Sequence, residues 1–135
     1  MASSPSVTFD FSGPPPIAFK TYSLFQSSSQ TSSIKLDRMN YLVWASVALP
    51  LIEGNRLQSH IDATALVPSM TVALSTTKEA IPNPEFDDWF SVDRMLIGWL
   101  RNMMSQDIMT QLLHCRTALE LWSEARTLTS AISKS

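Results

Sequence analysis

The fold is decided by residues 83–128, NPEFDDWFSVDRMLIGWLRNMMSQDIMTQLLHCRTALELWSEARTL. This stretch holds three of the four tryptophans of the chain and predicts three successive helices, each with its own start signal. Asn83 is placed to cap the first helix, and Pro84 to occupy its first position. Ser105 restarts a helix, and Thr117 opens the last one with a capping box. The clearest signals therefore specify packing rather than chemistry.

Apolar residues recur at spacings of three and four along these helices, which is the pattern of a helix with one buried face. Gly98 interrupts the first helix, where the missing side chain would let another helix approach closely. Cys115 and Arg116 form the turn before the last helix. The residues predicted to face inward are Phe86, Trp89, Phe90, Leu96, Ile97, Leu100, Met103 and Met104, then Ile108, Met109, Leu112 and Leu113, then Leu121, Trp122, Ala125 and Leu128.

A further helix is predicted upstream, because apolar residues recur at helical spacing from Tyr41 through Trp44. Asn40 is placed to cap this helix. Pro50 is expected to kink it or end it early, since proline lacks the amide hydrogen, and Gly54 supplies a stop. A short helix is expected next, and the residues on its inner side are Leu57, His60 and Ile61.

Two segments lack this pattern. Residues 64–82 are small and polar, and we expect a loop there with a helical turn near 72–74. Residues 1–33 are rich in Ser and Pro and form a low-complexity tail that is expected to be largely disordered, with 17–25 as the part expected to dock. Since no segment alternates as a strand would, the chain is predicted to be all-α, a small bundle of four to five helices over 34–135.

Charge and cysteine content exclude several classes of function. Lys and Arg number 10 and Asp and Glu 12, so the formal net charge is −2, and without a basic run no direct nucleic-acid site is expected. The single cysteine, Cys115, cannot form an internal disulfide and indicates a reducing compartment. No membrane span or secretory signal is evident, so no membrane partner is expected. The expected location is the cytoplasm, with the nucleus as the alternative.

Catalytic, cofactor and metal sites find little support in the sequence. His114 adjoins Cys115, but adjacent helical side chains diverge, and His60 stands alone, so no metal site is predicted. The same three residues show no spacing that suggests a catalytic dyad. Glycines are too dispersed for a phosphate-binding loop. The predicted protein has no catalytic residues and no cofactor.

Acidic residues near the first of the three helices have structural explanations. Asp87 and Asp88 fall in its first turn, where the positive end of a helix favours them. Asp93 lies close to the apolar stripe, and a buried carboxylate needs a partner. We expect a structural ion pair or hydrogen bond there. The predicted partners of Asp93 are Arg94, Lys35, Arg38 and Arg56.

Three groups of residues carry a family resemblance. The first is Leu36-x-x-x-Asn40-Tyr41-x-x-Trp44, followed by Leu57-x-x-His60-Ile61-Asp62. The second is Asn83-Pro84-Glu85-Phe86-x-x-Trp89-x-x-x-Asp93, followed by Trp99-Leu100. The third is Cys115-x-Thr117-Ala118-x-Glu120-Leu121-Trp122. In this order and spacing they resemble the N-terminal part of the Gag polyprotein of copia-type LTR retrotransposons, over most of the chain.

The resemblance implies an α-helical, capsid-type structural protein that self-associates around element RNA. Gag proteins of this family continue into further helices and often a zinc knuckle with three cysteines and a histidine, whereas this chain has one cysteine. We therefore expect a truncated or recruited protein derived from such an element.

The predicted function is a non-enzymatic, intracellular interaction domain that binds itself or related Gag proteins. Helical faces rich in Trp, Met and Leu in a short chain are expected to leave apolar surface uncovered. The alternatives are a ligand-binding protein or enzyme with a Trp- and Met-lined pocket beside His60 or His114, and a remnant without selected function. The residues expected at the interface are Met103, Met104, Ala125 and Leu128.

Overall fold

The computed structural model describes residues 34–74 and 79–130, and over these ranges the chain is mostly helical. The predicted tail and its docking segment lie outside the described residues. The described elements are the helices α1 (Tyr41–Gly54), α2 (Pro84–Asn102), α3 (Gln106–Gln111) and α4 (Ala118–Thr129), a 3₁₀ helix (Gln58–Ile61), and the strands β1 (Thr71–Ala73) and β2 (Ala80–Pro82).

The start and interior of α1 differ from the sequence prediction. Asn40 holds the N-cap position, but its side chain makes no capping bond. Its Oδ1 accepts the Asp37 N–H at 2.7 Å and its Nδ2 donates to the Lys35 carbonyl at 2.9 Å, so it closes the preceding turn instead. Pro50 does not end the helix, which continues to Gly54. Because Pro50 is exposed, the carbonyl that it leaves unbonded can face water.

α1 ends at Gly54, the predicted stop residue. Gly54 does not adopt a positive φ, and the residue in the left-handed region is Arg56, two positions later, with a φ of 61°. The short helix predicted next is present as the 3₁₀ helix. Leu57 and His60 are buried, which confirms its inner side.

Residues 64–82 contain a β-hairpin rather than the predicted loop with a helical turn. β1 pairs antiparallel with β2, and Val72 lies opposite Ile81. β1 is exposed throughout, and only the middle residue of β2 is partly buried. Apolar and polar residues alternate in a strand when one of its faces is buried. Since these strands have no buried face, the sequence shows no such alternation. The all-α prediction is therefore corrected to a mostly helical fold with a small sheet.

The core lies where α4 packs against α1, α2 and the 3₁₀ helix. Its fully buried side chains come from every described α-helix, and most occupy positions predicted from the helical spacing. The chain entering α1 is also anchored in this core. Leu36 is fully buried, its N–H donates to the Met103 carbonyl at 2.8 Å, and its own carbonyl accepts the Ser105 N–H at 2.9 Å.

Three residues predicted to face inward lie at the surface instead. Phe90, Leu113 and Leu128 are all exposed. In α4 the buried position falls at Thr129, which continues the Trp122 and Ala125 side of the helix. The Thr129 hydroxyl donates to the Ala125 carbonyl at 2.7 Å, so the buried polar group is satisfied within its own helix.

Among residues 34–74 and 79–130, no helix packs closely against Gly98. The glycine is exposed, and within those ranges no atom lies within 4 Å of the position that a Cβ would take. The prediction that another helix approaches at this glycine is wrong.

Candidate functional site

Three aromatic side chains join α1 to α4, and all three belong to the residues that carry the family resemblance, which we call the family-like motifs. The ring centroid of Trp44 lies 5.2 Å from that of Trp122 and 6.2 Å from that of Tyr41. Tyr41 meets Trp122 edge-on at 6.1 Å. Trp44 is fully buried, and its Nε1 donates to the Met103 carbonyl at 2.9 Å. These rings therefore pack α1 against α4.

The predicted cap and first residue of α2 are both confirmed. The Asn83 side chain accepts the Glu85 N–H at 3.1 Å, and Pro84 is the first helical residue. Phe86 and Trp89 stack on each other one turn later, with centroids 6.0 Å apart, and both are half-buried. This end of α2 therefore has a partly exposed aromatic surface rather than a closed core.

Farther along α2, Trp99 and Leu100 are both buried. The Nε1 of Trp99 has no hydrogen-bond partner among residues 34–74 and 79–130. Leu121, which belongs to the third group of family-like residues, is fully buried in α4. All three serve packing between helices.

Asp93 makes a buried polar contact that links α2, α4 and the 3₁₀ helix. Its Oδ1 lies 2.9 Å from the Nδ1 of His60, and its Oδ2 accepts the Ala118 N–H at 3.1 Å. The His60 and Asp93 side chains are only 7% and 2% exposed. Ala118 is the first residue of α4, so the carboxylate lies at the positive end of that helix. The predicted hydrogen bonding of Asp93 is confirmed.

The predicted cationic partners of Asp93 are wrong, because they bind other groups near the surface. Lys35 donates to the Asn102 carbonyl at 2.6 Å, and Arg94 donates to the Arg116 carbonyl at 3.2 Å. Arg38 pairs with Asp107 at 3.0 Å, and Arg56 is exposed. His60 had no signal that pointed to Asp93, since the two residues are 33 positions apart and meet only through the tertiary fold.

A histidine held by a buried carboxylate is also the arrangement of a general base and its orienting group. Here the imidazole of His60 stacks on the indole of Trp89, with centroids 5.1 Å apart and planes 14° from parallel. The ring is therefore covered on a face by Trp89 and held at its Nδ1 by Asp93. This geometry joins helices and leaves little of the imidazole open to a substrate.

The predicted capping box of α4 is present, but one of its two hydrogen bonds involves a different backbone amide. The Thr117 Oγ1 accepts the Glu120 N–H at 3.0 Å, as predicted. Glu120 Oε1 accepts the Arg116 N–H at 2.7 Å, one residue before the position that a capping box uses. The side chains of Thr117 and Glu120 thus bond two backbone amides at the start of the helix.

Cys115 lies in the turn before α4 and is buried. Burial raises the pKa of its thiol, and the carboxylates of Glu124 and Glu120 raise this pKa further, against an opposite effect of Arg101. The exposed His114 places its Nε2 3.9 Å from the Cys115 Sγ. A cysteine activated as a nucleophile shows a lowered pKa, so the environment of Cys115 disfavours that role.

We expect the thiol of Cys115 to be unreactive in the folded protein. Because the thiolate is the reactive form, the reaction with Ellman's reagent at pH 7.5 should be at least about tenfold slower in buffer than in 8 M urea. A short peptide of residues 112–118 serves as the fully exposed control. Equal rates in buffer and in urea would contradict both the burial and the raised pKa.

The interface predicted from the sequence is mostly inside the molecule. Met103, Met104 and Ala125 are buried, so they cannot form an exposed surface of this fold. Met103 and Met104 directly follow α2 and contact the buried Leu36, a contact with no local sequence signal. Leu128 alone among the four predicted residues is exposed, at 37%.

An apolar surface does lie beside Leu128, between the start of α1 and the end of α4. We call it the α1–α4 surface and define it by Met39, Leu42, Val43 and Leu128, which are 77%, 79%, 56% and 37% exposed. A groove of about 440 Å³ runs along Met39, Leu42 and Val43, and a second of about 340 Å³ joins Met39 to Leu128. Met39 belongs to both grooves, so the surface is continuous.

Apolar residues are also exposed around the hairpin. Leu66 is 94% exposed, and Val67 and Met70 are exposed as well. These residues precede β1 and line neither of these two grooves. They supply controls for substitutions in the α1–α4 surface.

A third groove, of about 450 Å³, lies between the 3₁₀ helix and α4. Asp62, Trp122 and Arg126 contribute to its wall. Trp122 is itself buried, so little of its indole faces the groove. Among the described residues, neither His60 nor His114 lines any of the three grooves.

No family model, curated protein or solved structure matches this chain. In the two described ranges, no cluster of three or more His, Cys, Asp or Glu residues could hold a metal ion. No helix in those ranges combines the length and apolar character that crossing a membrane requires.

Proposed function

We propose that this chain is a non-enzymatic, Gag-like interaction domain that self-associates through the α1–α4 surface. The observation that carries the proposal is the continuous exposure of Met39, Leu42, Val43 and Leu128 along two connected grooves. Singly exposed apolar residues are normal on proteins, whereas contiguous apolar patches usually mark interfaces. A second copy of the chain, or a related Gag protein, is the partner that the family resemblance suggests.

The use of the family-like residues supports a structural role for the domain. Trp44, Leu100 and Leu121 are fully buried, and Asn83 and Thr117 cap helices. Asp93 bonds groups of two other elements. Motif residues of an enzyme family would instead be expected to converge on an accessible cleft. The cytoplasm remains the proposed location.

The proposal is tested by the mass of the protein in solution as a function of concentration. We expect the weight-average mass from light scattering to rise between about 5 and 500 μM, and Leu42→Ser to weaken this association at least about tenfold. Leu42 is 79% exposed, and substitutions at such surface positions usually change stability by less than about 0.5 kcal/mol, so this substitution should not disturb α1. The matched control is Leu66→Ser, which removes a leucine outside the α1–α4 surface that is even more exposed, at 94% against 79% for Leu42.

Comparing the two substitutions distinguishes association through the α1–α4 surface from nonspecific hydrophobic association. Equal weakening by Leu42→Ser and Leu66→Ser would show that exposed leucines act without regard to position. Identical, concentration-independent masses for the wild type and both variants would contradict self-association through this surface.

A further inference from the structure

We infer that residues 17–25 of the same chain cover the α1–α4 surface in cis and thereby limit self-association. This inference rests on the proposed function, since it names the regulation of the proposed interface. It starts from the position of the surface in the chain. Met39 follows the first described residue, Ile34, by only five positions, so the surface lies beside the point where the N-terminal segment enters the fold.

The entry point of that segment is held in place. Leu36 is fully buried and forms a parallel bridge to Met104. Asn40 then closes the turn over Lys35 and Asp37. Since this turn leads directly into the first turn of α1, the chain preceding Ile34 is tethered at one edge of the α1–α4 surface.

The tether is long enough to bring residues 17–25 onto the surface. Eight residues, 26–33, separate Phe25 from Ile34, and their sequence is QSSSQTSS. An extended chain spans about 3.3–3.6 Å per residue, so this connection reaches up to about 30 Å. Met39 can lie at most about 18 Å from Ile34 by the same rule. The reach therefore exceeds the distance that docking requires.

The composition of the N-terminal segment fits an apolar groove. Residues 17–25 hold five large apolar or aromatic side chains, whereas the connection 26–33 holds none and 131–135 hold only Ile132. A segment with this spacing of large side chains can place several of them against Met39, Leu42 and Val43. The five side chains are those of Ile17, Phe19, Tyr22, Leu24 and Phe25.

Tethering favours the same chain over a second copy at ordinary concentrations. A short Ser- and Gln-rich connection gives an effective concentration on the order of 1 mM for the attached segment. A second copy present at micromolar concentration must displace that segment. Docking in cis therefore makes self-association weaker in the wild type than in a chain whose segment cannot dock.

The experiment uses the full-length chain and a fluorescein-labelled synthetic peptide of residues 15–27. The docking-segment variant carries Phe19→Ser and Phe25→Ser, and its matched control carries Phe9→Ser and Phe11→Ser, which remove two aromatic rings outside 17–25. Fluorescence anisotropy measures peptide binding, and light scattering measures the mass of the same proteins.

We expect the docking-segment variant to bind the peptide at least about tenfold more tightly than the wild type, because its own segment no longer competes. The control variant should bind like the wild type. Adding Leu42→Ser to the docking-segment variant should abolish peptide binding, and adding Leu66→Ser should leave it unchanged. The docking-segment variant should also associate at lower concentration than the wild type.

The outcomes separate this inference from the proposed function. Failure of the docking-segment variant to bind the peptide, binding equal to that of the wild type, or binding unaffected by Leu42→Ser would overturn the inference. Weaker association of the variant than of the wild type would place the segment on a second copy rather than in cis. A variant that binds the peptide but stays monomeric at every concentration would support docking in cis but refute self-association, and with it the limiting role of the segment.

Discussion

Replacing Trp44 with alanine is expected to lower the free energy of unfolding by about 3–5 kcal/mol. Trp44 is fully buried, its ring packs against Tyr41 and Trp122, and its Nε1 donates to the Met103 carbonyl. Removal of the indole leaves a cavity at the junction of α1 and α4. Since small domains are stable by about 5–15 kcal/mol, a large part of the stability is lost. Urea unfolding at 25 °C, followed by circular dichroism, measures the change.

Two further substitutions show whether burial is the cause. Trp44→Phe keeps one aromatic ring in the core and should cost about 1–2 kcal/mol, because the Met103 carbonyl still accepts the Leu36 N–H. Trp89→Ala removes a half-buried indole and should cost less than about 2 kcal/mol. A loss for Trp89→Ala as large as that for Trp44→Ala would show that the aromatic core extends to the start of α2.

The different burial of these two tryptophans shows where sequence patterns stop being informative. Both indoles occur at helical spacing among other apolar residues, and the sequence alone predicted both as core. Trp44 points into the space between α1 and α4, whereas Trp89 lies one turn into α2 and rests on His60. Which part of a stripe is covered depends on where the neighbouring elements end, and periodicity does not contain that information.

The most successful predictions were those that depend on residues only a few positions apart in the sequence. The caps at Asn83, Ser105 and Thr117 are present, because each bonds an amide two or three residues later. Asn40 is an asparagine like Asn83, but its side chain bonds backbone groups of the preceding turn. These groups are as close in sequence as the amides of the helix, so the two sets of partners compete for the same side chain. Residue type alone does not decide whether an asparagine caps the following helix or bonds the preceding turn.

Features that depend on distant segments were missed. The hairpin lacks a buried face, so no alternation marks its strands. The burial of Met103 and Met104 depends on Leu36, which lies more than 60 positions earlier in the chain. An interface predicted from methionine content therefore fell in the core. The exposed α1–α4 surface instead combines residues from the two ends of the described helical sequence, and of these the sequence indicated only Leu128.

Asp93→Ala is expected to lower the free energy of unfolding by about 2–6 kcal/mol, since it leaves two buried groups without a partner and each costs about 1–3 kcal/mol when unpaired. These groups are the Ala118 N–H at the start of α4 and the Nδ1 of His60. Urea unfolding followed by circular dichroism measures the loss. The loss should be non-additive with that of His60→Ala by about 0.5–3 kcal/mol, because the two side chains contact each other.

Two control substitutions test whether the buried geometry, rather than the negative charge, is responsible. Asp93→Asn keeps an acceptor for the Ala118 N–H and a polar group facing His60, so it should be milder than Asp93→Ala. Asp87→Ala removes an exposed carboxylate from the first turn of α2 and should cost only about 0.3–1 kcal/mol. Equal effects of Asp93→Ala and Asp87→Ala would refute the structural role of Asp93. A stable Asp93→Ala protein would reopen a functional role for the His60–Asp93 pair, because a buried carboxylate that does not stabilise the fold requires another explanation for its presence.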